Sequence, residues 1–210
     1  MGDSLGRVYC AGPLFNLKEK EEMAEIAQAI EGRGLETFLP QRDGLEFTRC
    51  VERLMGQGLE FGPANSVVMR AIFCLDAYQV IEGCDAVVVN LNGRVPDEGA
   101  VVEAALAWSW GKTLAGYKAD GRSTFHGEDN PMVTGLFGFA VCSSIQALAD
   151  AVVDGLAKAR GRARSVASRE ATVQCVQVGR QLWQTMKENP ESDVLLQVLL
   201  SQCAPAGLSA

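Results

Sequence analysis

The segment from Asp85 to Leu91 constrains the fold more than any other part of the chain. Between its polar ends runs the uninterrupted apolar stretch Ala86-Val87-Val88-Val89. A strand with one wet face alternates apolar and polar residues, whereas an unbroken apolar strand is typical of a parallel sheet covered by helices on both faces. The segment therefore predicts a buried parallel strand between two helical layers.

Strands and helices alternate along the sequence, as a parallel sheet requires. The predicted strands are Arg7–Ala11, Leu35–Leu39, Asp85–Leu91, Thr113–Tyr117 and Phe137–Cys142. The predicted helices run from Asn16 to Ile30, from Asn65 or Ser66 to Ile81, from Pro96 to Trp110 and from Ser144 to Ala159, and residues 41–63 are expected to be irregular or to form short helices. The predicted class is α/β, a doubly wound, flavodoxin-like parallel sheet of five strands flanked by helices.

The chain is expected to divide into an α/β domain over residues 1–160 and a helical C-terminal extension over residues 161–210. Amphipathic patterns predict helices from Ser168 to Lys187 and from Val194 to Leu200 within that extension. At 210 residues the chain is long enough to bury a full core.

Ligands of doubly wound sheets bind beyond the carboxyl ends of the strands. The loops predicted at that edge are Gly12–Asn16, Pro40–Gly44, Asn92–Gly99 and Lys118–Pro131. We expect them to converge on one crevice.

Glu103 is the only ionisable residue in the otherwise mostly apolar stretch from Ala100 to Trp110. A buried glutamate is ordinarily paired with a basic residue or a backbone donor, and that interpretation stays open. The preceding turn favours a functional role, because Pro96 and Asp97 suit a helix start and Gly99 permits close approach of backbone or ligand. Glu103 is thus placed near a helix N-terminus that faces the crevice.

Composition excludes several function classes. The formal net charge of -7, without a basic cluster beyond a short run near residue 162, argues against nucleic acid as a partner, and no apolar run is long enough to cross a membrane. Seven scattered cysteines and the single His126 provide no metal-ligand spacing, so we expect reduced core thiols, no metal, no cofactor and a cytoplasmic protein. Small molecules or proteins remain as partners.

The motifs of dinucleotide-binding proteins, P-loop NTPases, zinc proteases and serine hydrolases are not found in the sequence. The crevice instead collects acidic and phenolic candidates: Tyr9, Asp97 and Glu103, with Asp76 and Asp43 as further members. Paired carboxylates suit glycosidic chemistry, in which one attacks or stabilises the sugar carbon and another handles the proton of the leaving group.

These residues lie in segments that resemble the nucleoside 2-deoxyribosyltransferase family. Five pieces occur in the family's order: Tyr9-Cys10-Ala11-Gly12-Pro13-Leu14-Phe15, Leu39-Pro40-Gln41-Arg42-Asp43-Gly44, Cys84-Asp85-Ala86-Val87-Val88, Pro96-Asp97-Glu98-Gly99 with Glu103, and Asp129-Asn130-Pro131-Met132. The resemblance covers about residues 7–150. It implies an enzyme that exchanges the base of a 2′-deoxynucleoside with a free nucleobase, without a cofactor.

The resemblance also implies roles for individual residues. Glu103 matches the nucleophile that forms a covalent deoxyribosyl-enzyme, Asp97 the acid that holds sugar hydroxyls, and Tyr9 the tyrosine that orients the nucleophile. Asp76 is the candidate for the acid that protonates the leaving base. The expected substrate-binding residues are Gly12, Pro13, Phe15, Asp43, Gly99, Asn130 and Met132. Asn130 and Met132 match a segment that enters the neighbouring subunit's site, which implies a homo-oligomer with shared sites.

The sequence departs from the family pattern at several positions. Asp76 lies nine residues before Asp85 where the family spacing is eight, a slip that turns a helical side chain by about 100°. Asn92 stands where close members carry aspartate, and Ala105 where glycine often follows the nucleophile. The extension beyond about residue 161 has no counterpart in compact members.

Two alternatives to base exchange stay open. One is an N-glycosidase that transfers the sugar to water or acts on a 5′-monophosphate, although the loop Ala11-Gly12-Pro13-Leu14-Phe15 lacks the phosphate donors of the monophosphate-specific pattern. The other is a non-catalytic nucleotide-binding module, which would not need a buried attacking carboxylate.

Overall fold

Five parallel strands form one sheet in the order β2-β1-β3-β4-β5. The strands of this computed structural model are β1 (Arg7–Ala11), β2 (Glu36–Phe38), β3 (Ala86–Asn90), β4 (Thr113–Tyr117) and β5 (Val141–Cys142). This order is that of the flavodoxin-like doubly wound fold, so the predicted fold class is confirmed.

The structure describes residues 6–123 and 129–159 together with positions 177, 185, 188 and 194. Contacts group the chain into two units, residues 1–164 and 165–210, and the sheet belongs to the first. The predicted helices of the 161–210 extension, like His126, lie outside the described residues apart from those four positions.

Seven α-helices occur among the described residues. They are α1 (Leu17–Glu31), α2 (Pro40–Asp43), α3 (Phe47–Gly56), α4 (Phe61–Tyr78), α5 (Glu98–Ser109), α6 (Pro131–Thr134) and α7 (Ile145–Ala159). A π-helical turn, Gln79–Gly83, continues α4, and a 3-10 turn, Gly135–Phe137, continues α6. Within these ranges no helix is long and apolar enough to cross a membrane.

Helices cover the sheet on both faces, and successive residues of β1 point into different cores. Val8 and Cys10 pack in a core shared with α1 and α7. Tyr9 and Ala11 pack in a second core with α5 and Phe38. All residues of β3 are buried, as its uninterrupted apolar sequence predicts.

The N-terminus of α1 follows its sequence signals. Asn16 accepts a hydrogen bond from the Glu19 N–H, and the Glu19 carboxylate accepts one from the Asn16 N–H, which completes a capping box. Met23, Ile26, Ala27 and Ile30 form the buried face that their spacing predicts.

Two predicted boundaries were wrong. The helix placed from Asn65 or Ser66 to Ile81 begins at Phe61 and changes to π geometry after Tyr78. The strand placed at Phe137–Cys142 is confined to Val141–Cys142, because Gly138 and Phe139 both adopt left-handed backbone with φ near 60° and interrupt the extended chain. The segment 41–63 contains α2, α3 and the start of α4, in line with the expected short helices.

Gly12, directly after β1, lies in a tightly packed part of the first loop, and a substitution there tests this packing. A Cβ at this position would lie 2.5 Å from the Met23 Sδ and 2.9 Å from the Asn90 Cβ, and Met23 is fully buried. Gly12→Ala is expected to lower the free energy of unfolding by about 1–3 kcal/mol, measured by urea denaturation. The matched control is Gly62→Ala, whose added methyl meets nothing within 4 Å; a loss as large in that control would contradict the packing argument.

Candidate active site

A hydrogen bond joins strand β1 to helix α5 at the centre of the candidate site. The Tyr9 hydroxyl donates to the Glu103 Oε1 at 2.7 Å. Tyr9 is fully buried and its ring stacks on Phe38, with ring centroids 5.5 Å apart. The strand thereby holds the hydroxyl rigidly beneath the second turn of α5.

The Glu103 carboxyl lies in surroundings that disfavour its charge. Burial is the largest influence on its pKa and raises it to about 7. The hydrogen bond from Tyr9 acts in the opposite direction and lowers the pKa, whereas the carboxylates of Asp76 and Asp97 raise it. A glutamate with this pKa changes its protonation state near neutral pH, a property that recurs at catalytic sites.

Tyr9 keeps its proton. Burial and then the negative charges of Glu103 and Asp76 raise the pKa of its hydroxyl above the ordinary value. The phenol is therefore a stable donor to Glu103, as expected for a residue that orients a carboxylate.

Asp97 caps the helix that carries Glu103. Its Oδ2 accepts a hydrogen bond from the Ala100 N–H at 2.8 Å, and this bond occupies one of its two carboxylate oxygens. Gly99 follows in the first turn, where a Cβ would lie 3.1 Å from the Asp97 Oδ2. The cap ties the position of Asp97 to the backbone of α5.

Asp76 in the last turn of α4 belongs with Tyr9, Glu103 and Asp97 to one group of side chains, the Tyr9 cluster, despite its unusual spacing in the sequence. Its charge raises the pKa of both Tyr9 and Glu103. Burial raises the pKa of Asp76 itself, while the nearby Tyr9 hydroxyl acts in the opposite direction. Asp76 is thus held in a setting that favours the protonated acid.

A π-helical turn lies between Asp76 and Asp85. Its closing hydrogen bond runs from the Cys84 N–H to the Gln79 carbonyl at 2.8 Å, spanning five residues instead of four. A turn of this kind holds one residue more than an α-helical turn, which equals the difference between this sequence and the spacing that the family resemblance implies.

Asp43 belongs to a different set of contacts. Its Oδ2 accepts the Leu39 N–H at 2.8 Å and pairs with the Arg42 guanidinium at 2.9 Å. Burial favours the neutral acid, but these bonds outweigh it and hold the pKa of Asp43 below its ordinary value. This carboxylate holds the loop after β2 in place, and its predicted contact with substrate stays a prediction.

The remaining predicted binding residues lie in loops at the carboxyl edge of the sheet. Pro13 is buried next to Gly12, whereas the Phe15 side chain is 82% exposed. Asn130 caps α6 through a hydrogen bond from the Met132 N–H at 2.9 Å, and Met132 is 79% exposed. Phe15 and Met132 therefore present large apolar surfaces.

A polar network that the sequence analysis did not anticipate lies at the ends of β3 and β4. The Glu22 carboxylate accepts hydrogen bonds from Asn90 at 2.9 Å and Asn92 at 2.7 Å. The Asn92 Oδ1 accepts the N–H groups of Ala119 and Asp120. Glu22 lies on an otherwise polar part of α1, and the two asparagines at and just after the end of β3, Asn90 and Asn92, were the available signal. Among the described residues no three His, Cys, Asp or Glu side chains form a group that could hold a metal ion.

Comparisons with known protein sequences identify a family. A family model described as nucleoside 2-deoxyribosyltransferase matches residues 8–139, which include Tyr9, Asp76, Asp97 and Glu103. None of the curated proteins matches the chain.

A comparison with solved structures finds matches at low sequence identity. A conserved protein from Enterococcus faecalis V583 is 18% identical, with a TM-score of 0.53 over 70% of this chain and 97% of its own. A 2-deoxyribosyltransferase from Bacillus psychrosaccharolyticus is 18% identical, with a TM-score of 0.43 over 61% of this chain and 80% of its own. A 2-desoxiribosyltransferase from Leishmania mexicana is 18% identical, with a TM-score of 0.42 over 70% of this chain and 97% of its own.

The raised pKa of Glu103 predicts a pH-dependent cost to stability. Because its pKa is about 7 in the folded chain and about 4.5 when unfolded, the native state binds more protons between those values, and stability falls as pH rises through them. Glu103→Gln keeps an acceptor for Tyr9 and removes the charge. Its free energy of unfolding should exceed that of the natural chain by up to about 3 kcal/mol at pH 8, and the gain should disappear near pH 4.5.

The control for this measurement is Glu98→Gln, which removes an exposed carboxylate from the same helix. Urea unfolding of the natural chain and both variants at the two pH values separates the effects. A gain for Glu103→Gln that is equal at both pH values would contradict the assigned cause.

Proposed function

The chain belongs to the nucleoside 2-deoxyribosyltransferase family, and we propose that it exchanges the nucleobase of 2′-deoxynucleosides through a deoxyribosyl-Glu103 intermediate. The observation that carries the proposal is the 2.7 Å hydrogen bond by which Tyr9 holds the Glu103 carboxyl, beside Asp76 and Asp97. One carboxylate to attack, one acid to supply a proton and a rigid donor between them are the groups that a retaining glycosyl transfer needs.

In the first half of the reaction the ionised Glu103 attacks C1′ of the deoxynucleoside. A bond forms between a carboxylate oxygen and C1′, and the electron pair of the N-glycosidic bond goes to the departing base. Burial makes the carboxylate poorly solvated, while the Tyr9 hydroxyl keeps it oriented for attack.

Asp76 supplies the proton that the departing base needs. Burial raises the pKa of Asp76, which favours its protonated form. The Tyr9 hydroxyl donates its single proton to Glu103 and so stabilises that carboxylate. The two carboxyl groups thereby take opposite roles in one cluster.

In the second half a free nucleobase attacks C1′ from the face that the first base left. Its ring nitrogen forms the new glycosidic bond, its proton passes to Asp76, and Glu103 is released as a carboxylate. Two inversions at C1′ give net retention.

Asp97 and the 129–132 segment are proposed to bind substrate. Asp97 has one oxygen engaged in capping α5, and its other oxygen would accept a sugar hydroxyl. Exposed Asn130 and Met132 would enter the site of a neighbouring subunit, which makes the working enzyme a homo-oligomer.

The proposal predicts base exchange that depends on Glu103. Incubation of the chain with deoxyinosine and adenine should yield deoxyadenosine and hypoxanthine, detected by chromatography. With deoxyinosine alone, mass spectrometry of the quenched protein should find a deoxyribosyl adduct, which Glu103→Gln abolishes while it keeps the fold.

Each alternative has a distinct outcome in the same assay. If hypoxanthine is released at an unchanged rate without adenine, the reaction is hydrolysis and not base transfer. If only the 5′-monophosphate is turned over, the substrate is a nucleotide and not a nucleoside. Binding without turnover would indicate a nucleotide-binding module. An adduct that persists in Glu103→Gln would overturn the nucleophile assignment.

The acid role of Asp76 predicts a dependence on the leaving group. Asp76→Asn should lower kcat for deoxyinosine by about 10²–10⁴-fold, because the anionic base then departs without a proton. The loss should be much smaller for 7-methyl-2′-deoxyinosine, whose cationic base departs as a neutral molecule.

The matched control is Asp154→Asn, which alters an exposed carboxylate of α7 away from the proposed site. The ratio of the two substrates' kcat values should stay unchanged in this control. An equal loss on both substrates in Asp76→Asn would contradict the assignment.

A further inference from the structure

Lys118, the first residue after β4, makes three hydrogen bonds between two loops. Its Nζ donates to the Leu91 carbonyl at 3.1 Å, to the Gly93 carbonyl at 3.0 Å and to the Asp129 Oδ1 at 2.9 Å. An ammonium group has three N–H donors, so these partners use all of them.

The Lys118–Asp129 pair is buried, unlike the surface ion pairs of the chain. The side chains are 12% and 3% exposed, respectively, compared with 37% and 62% for Arg33 and Asp150. Exposed pairs contribute little to stability, whereas a desolvated pair is tolerated only when its charges are compensated by hydrogen bonds. The two carbonyl oxygens provide this compensation for Lys118.

Further hydrogen bonds connect the loop after β3 to the loop after β4. The Gly93 N–H donates to the Asp120 Oδ2 at 3.2 Å, and the Asn92 Oδ1 accepts the Ala119 N–H at 2.8 Å. Gly93 has φ of +116°, a backbone conformation that a residue with a side chain rarely adopts. The loop after β3 is therefore held in a special conformation against the loop after β4.

Each loop carries residues of the proposed site. The loop after β3 leads from Gly93 to Asp97 and the start of α5. Asp129 directly precedes Asn130, which caps α6, and Met132. Lys118 itself has no bond to the Tyr9–Glu103 cluster among the described contacts, so any effect on the reaction passes through these loops.

We propose that Lys118 is a positioning residue, whose ammonium fixes the loop that leads to Asp97 against the loop after β4, and so aligns the Asp97 carboxylate and its bound sugar with Glu103. The inference rests on the proposed function, because it assigns Lys118 to the placement of a sugar-binding carboxylate. It predicts that loss of the ammonium impairs recognition of the sugar 3′-hydroxyl.

The test compares two substrates in each variant, deoxyinosine and 2′,3′-dideoxyinosine, with adenine as acceptor. The ratio of their kcat/KM values measures recognition of the 3′-hydroxyl and does not depend on the fraction of folded enzyme. Lys118→Met, which keeps the apolar stem, should lower this ratio about tenfold.

A second variant separates positioning from stability. Lys118→Met leaves a buried unpaired carboxylate, whereas adding Asp129→Asn removes that charge, so the double variant should regain thermal stability. Its substrate ratio should stay as low as in Lys118→Met. Return of the ratio to the natural value in the double variant would overturn the proposal.

Val152→Ala provides the control for instability alone. Val152 is fully buried on α7 in the core on the other face of the sheet, and its truncation should lower Tm without changing the substrate ratio. A ratio that falls equally in this control would also overturn the proposal. Failure of the proposed function would be seen separately, as absence of base exchange in the natural chain.

Discussion

The hydrogen bond from Tyr9 to Glu103 is the interaction on which the rest of the site depends. It needs a strand residue that is fully buried and a helix that presents a carboxylate directly above it, which the doubly wound fold supplies through β1 and α5. The bond lowers the pKa of Glu103 but does not cancel the effect of burial, so the carboxyl titrates near neutral pH. The fold therefore maintains an acidic group whose ionisation opposes folding, as active sites commonly do.

Much of the fold follows from local sequence patterns. The unbroken apolar sequence of β3 predicts a covered parallel sheet, and the capping box at Asn16 predicts the start of α1. The errors arise where backbone geometry is set by single residues, as at Gly138 and Phe139, whose left-handed conformations end the predicted last strand. Apolar composition alone does not distinguish that turn from an extended segment.

The candidate site is only partly predictable for a different reason. The sequence does not show that a π-helical turn lies between Asp76 and Asp85, because π geometry has no strong sequence signal. The contacts of Lys118 are equally hidden, since the Leu91 and Gly93 carbonyls reach its ammonium only when the loops after β3 and β4 meet in the folded sheet. Motif order identifies a set of candidates, whereas their mutual contacts depend on the tertiary structure.

One face of the sheet carries the acidic groups of the site and the other an apolar core, and this separation explains how the site tolerates its charges. Around Tyr9, burial and the carboxylates of Asp76 and Asp97 raise the pKa of Glu103. The opposite face is an apolar core with α1 and α7, and at its edge Glu22 has its oxygens bonded by Asn90 and Asn92. The Glu22 carboxylate is thus compensated by side-chain hydrogen bonds, whereas burial disfavours the charge of Glu103, the carboxylate proposed to attack. Because reactivity requires an incompletely compensated charge, stability must come from groups outside the Tyr9 cluster.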